Sequence, residues 1–162
     1  VTEQAFPDKV VRVRYEPGHL VTCARRDLHD ELRSAYDKTI PAFLRYFLDA
    51  CGAGDTPTDG ATVAYVGKEI VGAFRFNVDR TSLVPVLYAA GTWVDHSQRG
   101  KGVALRLWRV ALRRHPEVRE VSVASASRGG RGLTRSMARR YPALVWYLDG
   151  HELDEKGMDK ER

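Results

Sequence analysis

Cysteine is nearly absent from this chain: there are two among 162 residues, Cys23 and Cys51, far apart and in no C-x-x-C pair. That excludes a disulfide-stapled small fold and a thiolate metal knuckle, and leaves two reduced thiols as the plain reading. The five histidines, His19 and His29 among them, are scattered, and no spacing converges on a metal. No apolar run approaches the roughly eighteen residues that a membrane span requires. The first residues, Val1 to Asp8, lack the basic-then-apolar layout of a secretion signal, so a soluble, cytoplasmic protein with no membrane partner is expected. Internal repeats and low-complexity tracts are missing too. The length therefore predicts one domain over residues 1–148, followed by a charged tail over 149–162 that is frayed or serves as a docking segment.

What the chain does have is concentrated between Val94 and Leu105. An apolar run from Leu83 to Val94, broken only by Pro85 and Gly91, ends there, and a helical pattern from Val103 to His115 begins. The turn between them carries Gly100 and Gly102 interleaved with Arg99 and Lys101. Glycines let the backbone bend so that several N–H groups converge, and a helix start adds unpaired donors with a partial positive charge. Such a turn suits a phosphate. It is not a P-loop, because Val103 follows Gly102, and it is not a dinucleotide fingerprint, because Leu105 stands where the third glycine belongs. A net charge of +5 suits an anionic ligand and tolerates nucleic acid equally.

The segment Arg99-Gly100-Lys101-Gly102-Val103-Ala104 resembles the [QR]-x-x-G-x-[GA] signature of the GNAT superfamily of acyl-CoA-dependent N-acyltransferases. It follows a strand and precedes a helix, as in that family, although His96 stands where many members have proline. The resemblance implies an α/β (α+β) GNAT-like fold: a mixed, mostly antiparallel central sheet of about six or seven strands with helices on both faces. It implies acetyl-CoA as cosubstrate, bound through Arg99, Gly100, Lys101, Gly102, Val103 and Ala104, with pantetheine laid against Thr92, Trp93 and Val94 where two strands splay. The acceptor it implies is an amine-bearing small molecule or protein, and the assembly to test is a homodimer.

The rest of the chain can be read in order. Val10 to Tyr15 forms a strand closed by Glu16-Pro17-Gly18, and two helices follow, one capped by Asp27 and one starting near Pro41. Gly52 to Gly60 is loop by composition. Thr62–Val66 and Ile70–Val78 form a hairpin about Gly67-Lys68. Arg75 and Asn77 share one face of its second strand, facing either a polar cleft or solvent. The apolarity of Leu83–Val94 predicts a strand buried on both faces, with a bulge or close approach at Gly91. In the helix after the turn, Arg106, Arg109 and Arg113 form a stripe, read as a solvated face or, for Arg106, as a contact to CoA phosphate. Val118–Ser125 is a strand, Arg128–Gly132 a glycine-rich turn, 133–141 a helix with Leu133, Met137 and Tyr141 on one face, and Val145–Leu148 the closing strand.

An acetyl transfer needs a neutral amine, a donor for the thioester oxygen and a proton for the departing thiolate. A backbone N–H near Val94 suits the second role. For the third, the resemblance implies Tyr141, although Val145 and Trp146 replace the family's Gly-Phe and Thr134 its asparagine; core packing is the other explanation of Tyr141. Leu83 to Val94 contains no acid, so Asp95, His96 and Asp79 are the nearest candidates for a base, and none is assigned. Two alternatives stand beside the N-acyltransferase reading: a non-catalytic GNAT-fold protein with a structural or interaction role, and an acyltransferase acting on nucleic acid. The last is disfavoured because aromatics do not alternate with the arginines.

Overall fold

The computed structural model describes residues 11–17, 60–67, 69–124 and 127–160. They form a seven-stranded sheet whose spatial order follows the sequence: β1 (Val11–Pro17), β2 (Gly60–Val66), β3 (Glu69–Asp79), β4 (Val86–Val94), β5 (Glu120–Val123), β6 (Val145–Leu148) and β7 (His151–Glu152). Strands β1 to β4 pair antiparallel, β4–β5 and β5–β6 pair parallel, and β6–β7 is antiparallel again. The two parallel steps are bridged by helices α1 (Val103–Arg114) and α2 (Arg128–Arg140). Both steps move the same way across the sheet, and right-handed crossovers therefore put both helices on one face. Trp108 of α1 joins that face into one core, stacked on Phe74 of β3 (ring centroids 4.5 Å apart) and on Trp146 of β6 (6.1 Å). Met137 and Ala138 of α2 belong to the same cluster. The mixed, mostly antiparallel sheet matches expectation; the two early helices lie outside the described residues.

Several boundaries differ from the sequence reading, each for a local reason. Strand β4 starts at Val86 because Asp79 organises a polar bend, its carboxylate accepting from the Thr81 N–H (2.8 Å) and hydroxyl (2.7 Å), and Leu83 is left fully exposed. Nor is β4 buried on both faces along its whole length: Val86 and Leu87 are buried on opposite faces, but Tyr88, on the face of Val86, is 44 % exposed. Strand β5 is shorter than expected, covering only Glu120–Val123. The glycine-rich segment Arg128–Gly132 is not a turn but the start of α2, because Ser127 caps it by accepting the Gly130 N–H (3.1 Å).

The tail is not frayed between residues 149 and 160. Asp149 (φ 50°) and Gly150 (φ 81°) make a two-residue turn of the kind that joins antiparallel strands, sending the chain back as β7. Leu153 then enters the core, and Arg135 of α2 clamps the returning loop through the Gly157 carbonyl (3.0 Å) and the Asp159 carboxylate (3.1 Å).

Candidate active site

Strand β4 is paired on both sides only as far as Ala89. Its parallel partner β5 is matched from Val86↔Glu120 to Ala89↔Val123, and beyond that pair β4 runs on to Val94 with no strand beside it on that side among the described residues. On the other side β4 stays paired to β3, with a register shift that leaves Ala90 as an extra residue between the Phe76↔Ala89 and Arg75↔Gly91 pairs. The bulge expected near Gly91 is thus present, and bulges bend a strand and increase its twist. The result is a fork between β4 and β5, occupied by a cleft of about 720 Å³.

The walls of the fork come from four segments. The free half of β4 contributes Ala90 to Val94; α1 contributes Ala104 and Trp108; the end of β5 contributes Val123 and Ala124; the start of α2 contributes Ser127, Gly129, Gly130 and Leu133. Trp108 fixes the free half of β4 by donating its indole N–H to the Thr92 hydroxyl (2.8 Å). The Asp95 N–H bonds back to the Val71 carbonyl of β3 (2.7 Å). Backbone groups alternate sides along a strand, so the N–H groups of Val94 and Thr92 face the fork.

The glycine turn closes the fork's upper end. Asp95 starts a single 3-10 turn, His96–Gln98, by accepting from the Ser97 N–H (3.0 Å) and hydroxyl. Gly100 (φ 76°) and Gly102 (φ 75°) then adopt left-handed conformations that other residues resist, and Gly102 caps α1. Arg99 folds back so that its Nε donates to the Val94 carbonyl (3.0 Å), which holds the guanidinium at the cleft wall. Lys101 is exposed beside it, and Val103 buries its side chain in the core while its backbone opens the helix. The first N–H groups of α1 have no acceptor within the helix and point at the turn. Of the residues expected to bind the cosubstrate, Thr92, Trp93, Val94, Arg99 and Ala104 line the cleft, and Gly100 to Val103 form its adjoining turn.

Other expected residues are elsewhere. Tyr141 is not at the fork: it follows the last turn of α2, the end away from Ser127, and lines a separate recess with Leu112, Arg119 and Pro142. Its ring packs on the core, while its carbonyl accepts from the Trp146 indole (3.0 Å). Arg106 is tied to β1 by donating to the Val11 carbonyl (2.9 Å) rather than reaching the turn. Arg75 is 4 % exposed, which removes the solvent-facing reading of that position. Among the candidate bases, the Asp95 carboxylate is taken up by its cap. Hydrogen bonds from the Thr81 hydroxyl and N–H, with Ser82, hold Asp79 below the usual carboxylate range, so it is a poor proton acceptor. His96 is exposed on the turn. Sequence reasoning missed Trp108 and the α2 start as cleft walls; the signal was present in Ser127 ahead of the Arg128–Gly132 run.

The chain belongs to the acetyltransferase (GNAT) family, whose model matches residues 25–132. No curated protein matches the sequence. Among solved structures it is similar to a ribosomal-protein-alanine N-acetyltransferase from Brucella melitensis biovar Abortus 2308, at 19 % identity over 79 % of this chain and 90 % of that one, with a TM-score of 0.51. A possible acetyltransferase from Clostridium difficile 630 gives 10 % identity over 83 % and 91 %, with a TM-score of 0.51. A GNAT-family acetyltransferase from Streptococcus pneumoniae TIGR4 gives 20 %, 80 %, 86 % and 0.50 in the same order. At such identities the likeness shows the fold, and the enzyme class rests on the family match.

Proposed function

We propose that this acetyltransferase moves the acetyl group of acetyl-CoA directly to an amine carried by a small molecule or a protein. The observation that supports this most is the fork: outward-facing backbone groups of Thr92 and Val94 lead from the glycine turn into the sheet, the arrangement a chain of amides ending in an anion requires. The residues present fit the cosubstrate. The open N–H groups at the start of α1, with Arg99 and Lys101, suit its phosphates. Thr92 to Val94 suit its amides, and a side chain added at Gly129 would meet no atom within 4 Å, so the α2 wall leaves room.

Bound acetyl-CoA supplies an activated acyl carbon: a C–N bond to the neutral amine forms, the C–S bond breaks, and the proton lost by the amine leaves with the thiolate as the CoA thiol. The chain contributes positioning and a preorganised donor. The Val94 N–H is held at the strand's end by the Asp95–Val71 bond on one side and the Arg99–Val94 carbonyl bond on the other, so it needs no reorganisation as an acyl oxygen gains charge. An alkylammonium of pKa about 10.4 costs roughly 4.6 kcal/mol to deprotonate at pH 7, so a buried, partly desolvated approach favours the reactive neutral amine.

Calorimetric titration of acetyl-CoA into the wild type and Arg99→Ala tests this reading. Loss of a charged hydrogen-bond donor weakens binding by about 1.5–3 kcal/mol, roughly 10- to 150-fold. An unchanged dissociation constant removes the turn from the binding site, and a folded wild type that binds no acetyl-CoA refutes the proposal.

A further inference from the structure

The sheet face opposite the two helices carries a polar row. Register places Asn77, Tyr88, Ser122, Tyr147 and Glu152 side by side across β3 to β7. Directly paired residues project to the same face of a sheet. The adjoining row, Leu87, Val121 and Trp146, is buried under the helices, so the polar row lies on the opposite face. Strands lie about 4.8 Å apart, so Tyr88 and Tyr147 stand about 10 Å from each other with the small Ser122 between them. The small Ser122 between the two tyrosines leaves a gap about one strand wide in the row.

We propose that this slot binds an organic cation, an alkylammonium group held between the Tyr88 and Tyr147 rings with Glu120 as its counter-charge. Glu120 lies two residues before Ser122 on β5 and so shares its face, and it has no ion-pair partner among the described residues. Glu152 closes the row but is already engaged by Lys160 (3.2 Å). Burial first, then the Glu120 and Glu152 carboxylates, push the Tyr147 phenol up, which is consistent with both acids standing close to that ring. Aromatic faces attract cations, and the nearby carboxylate selects against anions. The slot adjoins the fork, because Tyr88 and Ser122 directly precede Ala89 and Val123, the last pair before the strands part. Resting on the acetyl-transfer reading, this makes the slot a specificity element for an acceptor that carries an ammonium group besides the amine acetylated.

The test is a titration of butylammonium chloride into protein with ¹³C-labelled tyrosine rings, with 1-butanol as the neutral control and assignments from Tyr88→Phe and Tyr147→Phe. The expected result is saturable shifts of both rings with butylammonium and none with butanol. Glu120→Gln weakens binding about fivefold, Tyr88→Phe retains it and Tyr88→Leu abolishes it. No saturable shift, equal shifts with butanol, or an unaffected Glu120→Gln overturns the proposal. Acetyl-CoA calorimetry on the same sample separates the two readings: intact acetyl-CoA binding with silent rings defeats the slot alone, and shifted rings without acetyl-CoA binding defeat acetyl transfer alone.

Discussion

Replacing Thr92 by valine isolates the bond that ties the free half of β4 to α1. The side chains are nearly isosteric, and both are β-branched, so the strand keeps its shape and propensity. What changes is that the Trp108 indole N–H, on a residue only 2 % exposed, loses the acceptor it meets at 2.8 Å. An unsatisfied buried donor costs about 1–3 kcal/mol. Trp108→Phe removes the donor instead and also trims a ring packed between Phe74 and Trp146, for a cost of about 1–3 kcal/mol. With no donor left to strand, Thr92→Val combined with Trp108→Phe adds under about 0.5 kcal/mol to the cost of the latter alone, and the cycle shows a coupling of about 0.5–3 kcal/mol. Urea denaturation of the four proteins, at a common slope, measures it. Equal costs of Thr92→Val in both backgrounds would refute the assignment of this bond as the tie between strand and helix.

Gly157→Ala should destabilise by about 2–4 kcal/mol, combining a left-handed φ with overlap on the Arg135 backbone, whereas Gly67→Ala, with open space around it, should cost only about 1 kcal/mol; thermal melts distinguish them. At Glu117, burial raises the carboxyl, but its own backbone N–H, His115 and Arg80 outweigh that and leave it lowered. A depressed folded-state pKa stabilises above the unfolded value and is lost as pH falls through the folded one. Arg80→Ala should therefore flatten the acid limb of stability below about pH 4.5, and an unchanged limb would exclude the network. Tyr141→Phe should leave turnover with any acetylated amine within about twofold, because its ring sits in the recess at the far end of α2; a drop of about a hundredfold would place the hydroxyl in the reaction.

The parts of this fold that were legible in the sequence are those governed by local chemistry. Gly100 and Gly102 read as a left-handed turn because few other residues accept that conformation, and Gly91 marked the bulge. Val145–Leu148 emerged with its boundaries intact. What failed depended on partners distant in the chain. Glycines 129, 130 and 132 argue against a helix, yet a cap at Ser127 and burial of Thr134, Met137 and Ala138 outweigh their cost. Tyr141 fell on the apolar stripe with Leu133, but α2 begins five residues earlier than expected and ends at Arg140, and spacing alone does not tell which end of a helix faces a fork. The Asp149-Gly150 pair is a legible turn signal, but the charged segment after it carries no strand pattern to mark β7.

The half-paired β4 gives this sheet an edge in its interior. At the rim of a sheet, an unpaired strand side is a template for another chain and a route to aggregation. Here that side is recessed between β5 and the first turns of two helices, and β5 leaves it at ordinary strand spacing at Ala89. A second polypeptide strand, with side chains on both faces, is blocked at the narrow end, where β5 already pairs with β4 at Ala89. That recess thus shields the unpaired half of β4 from pairing with another copy of the chain.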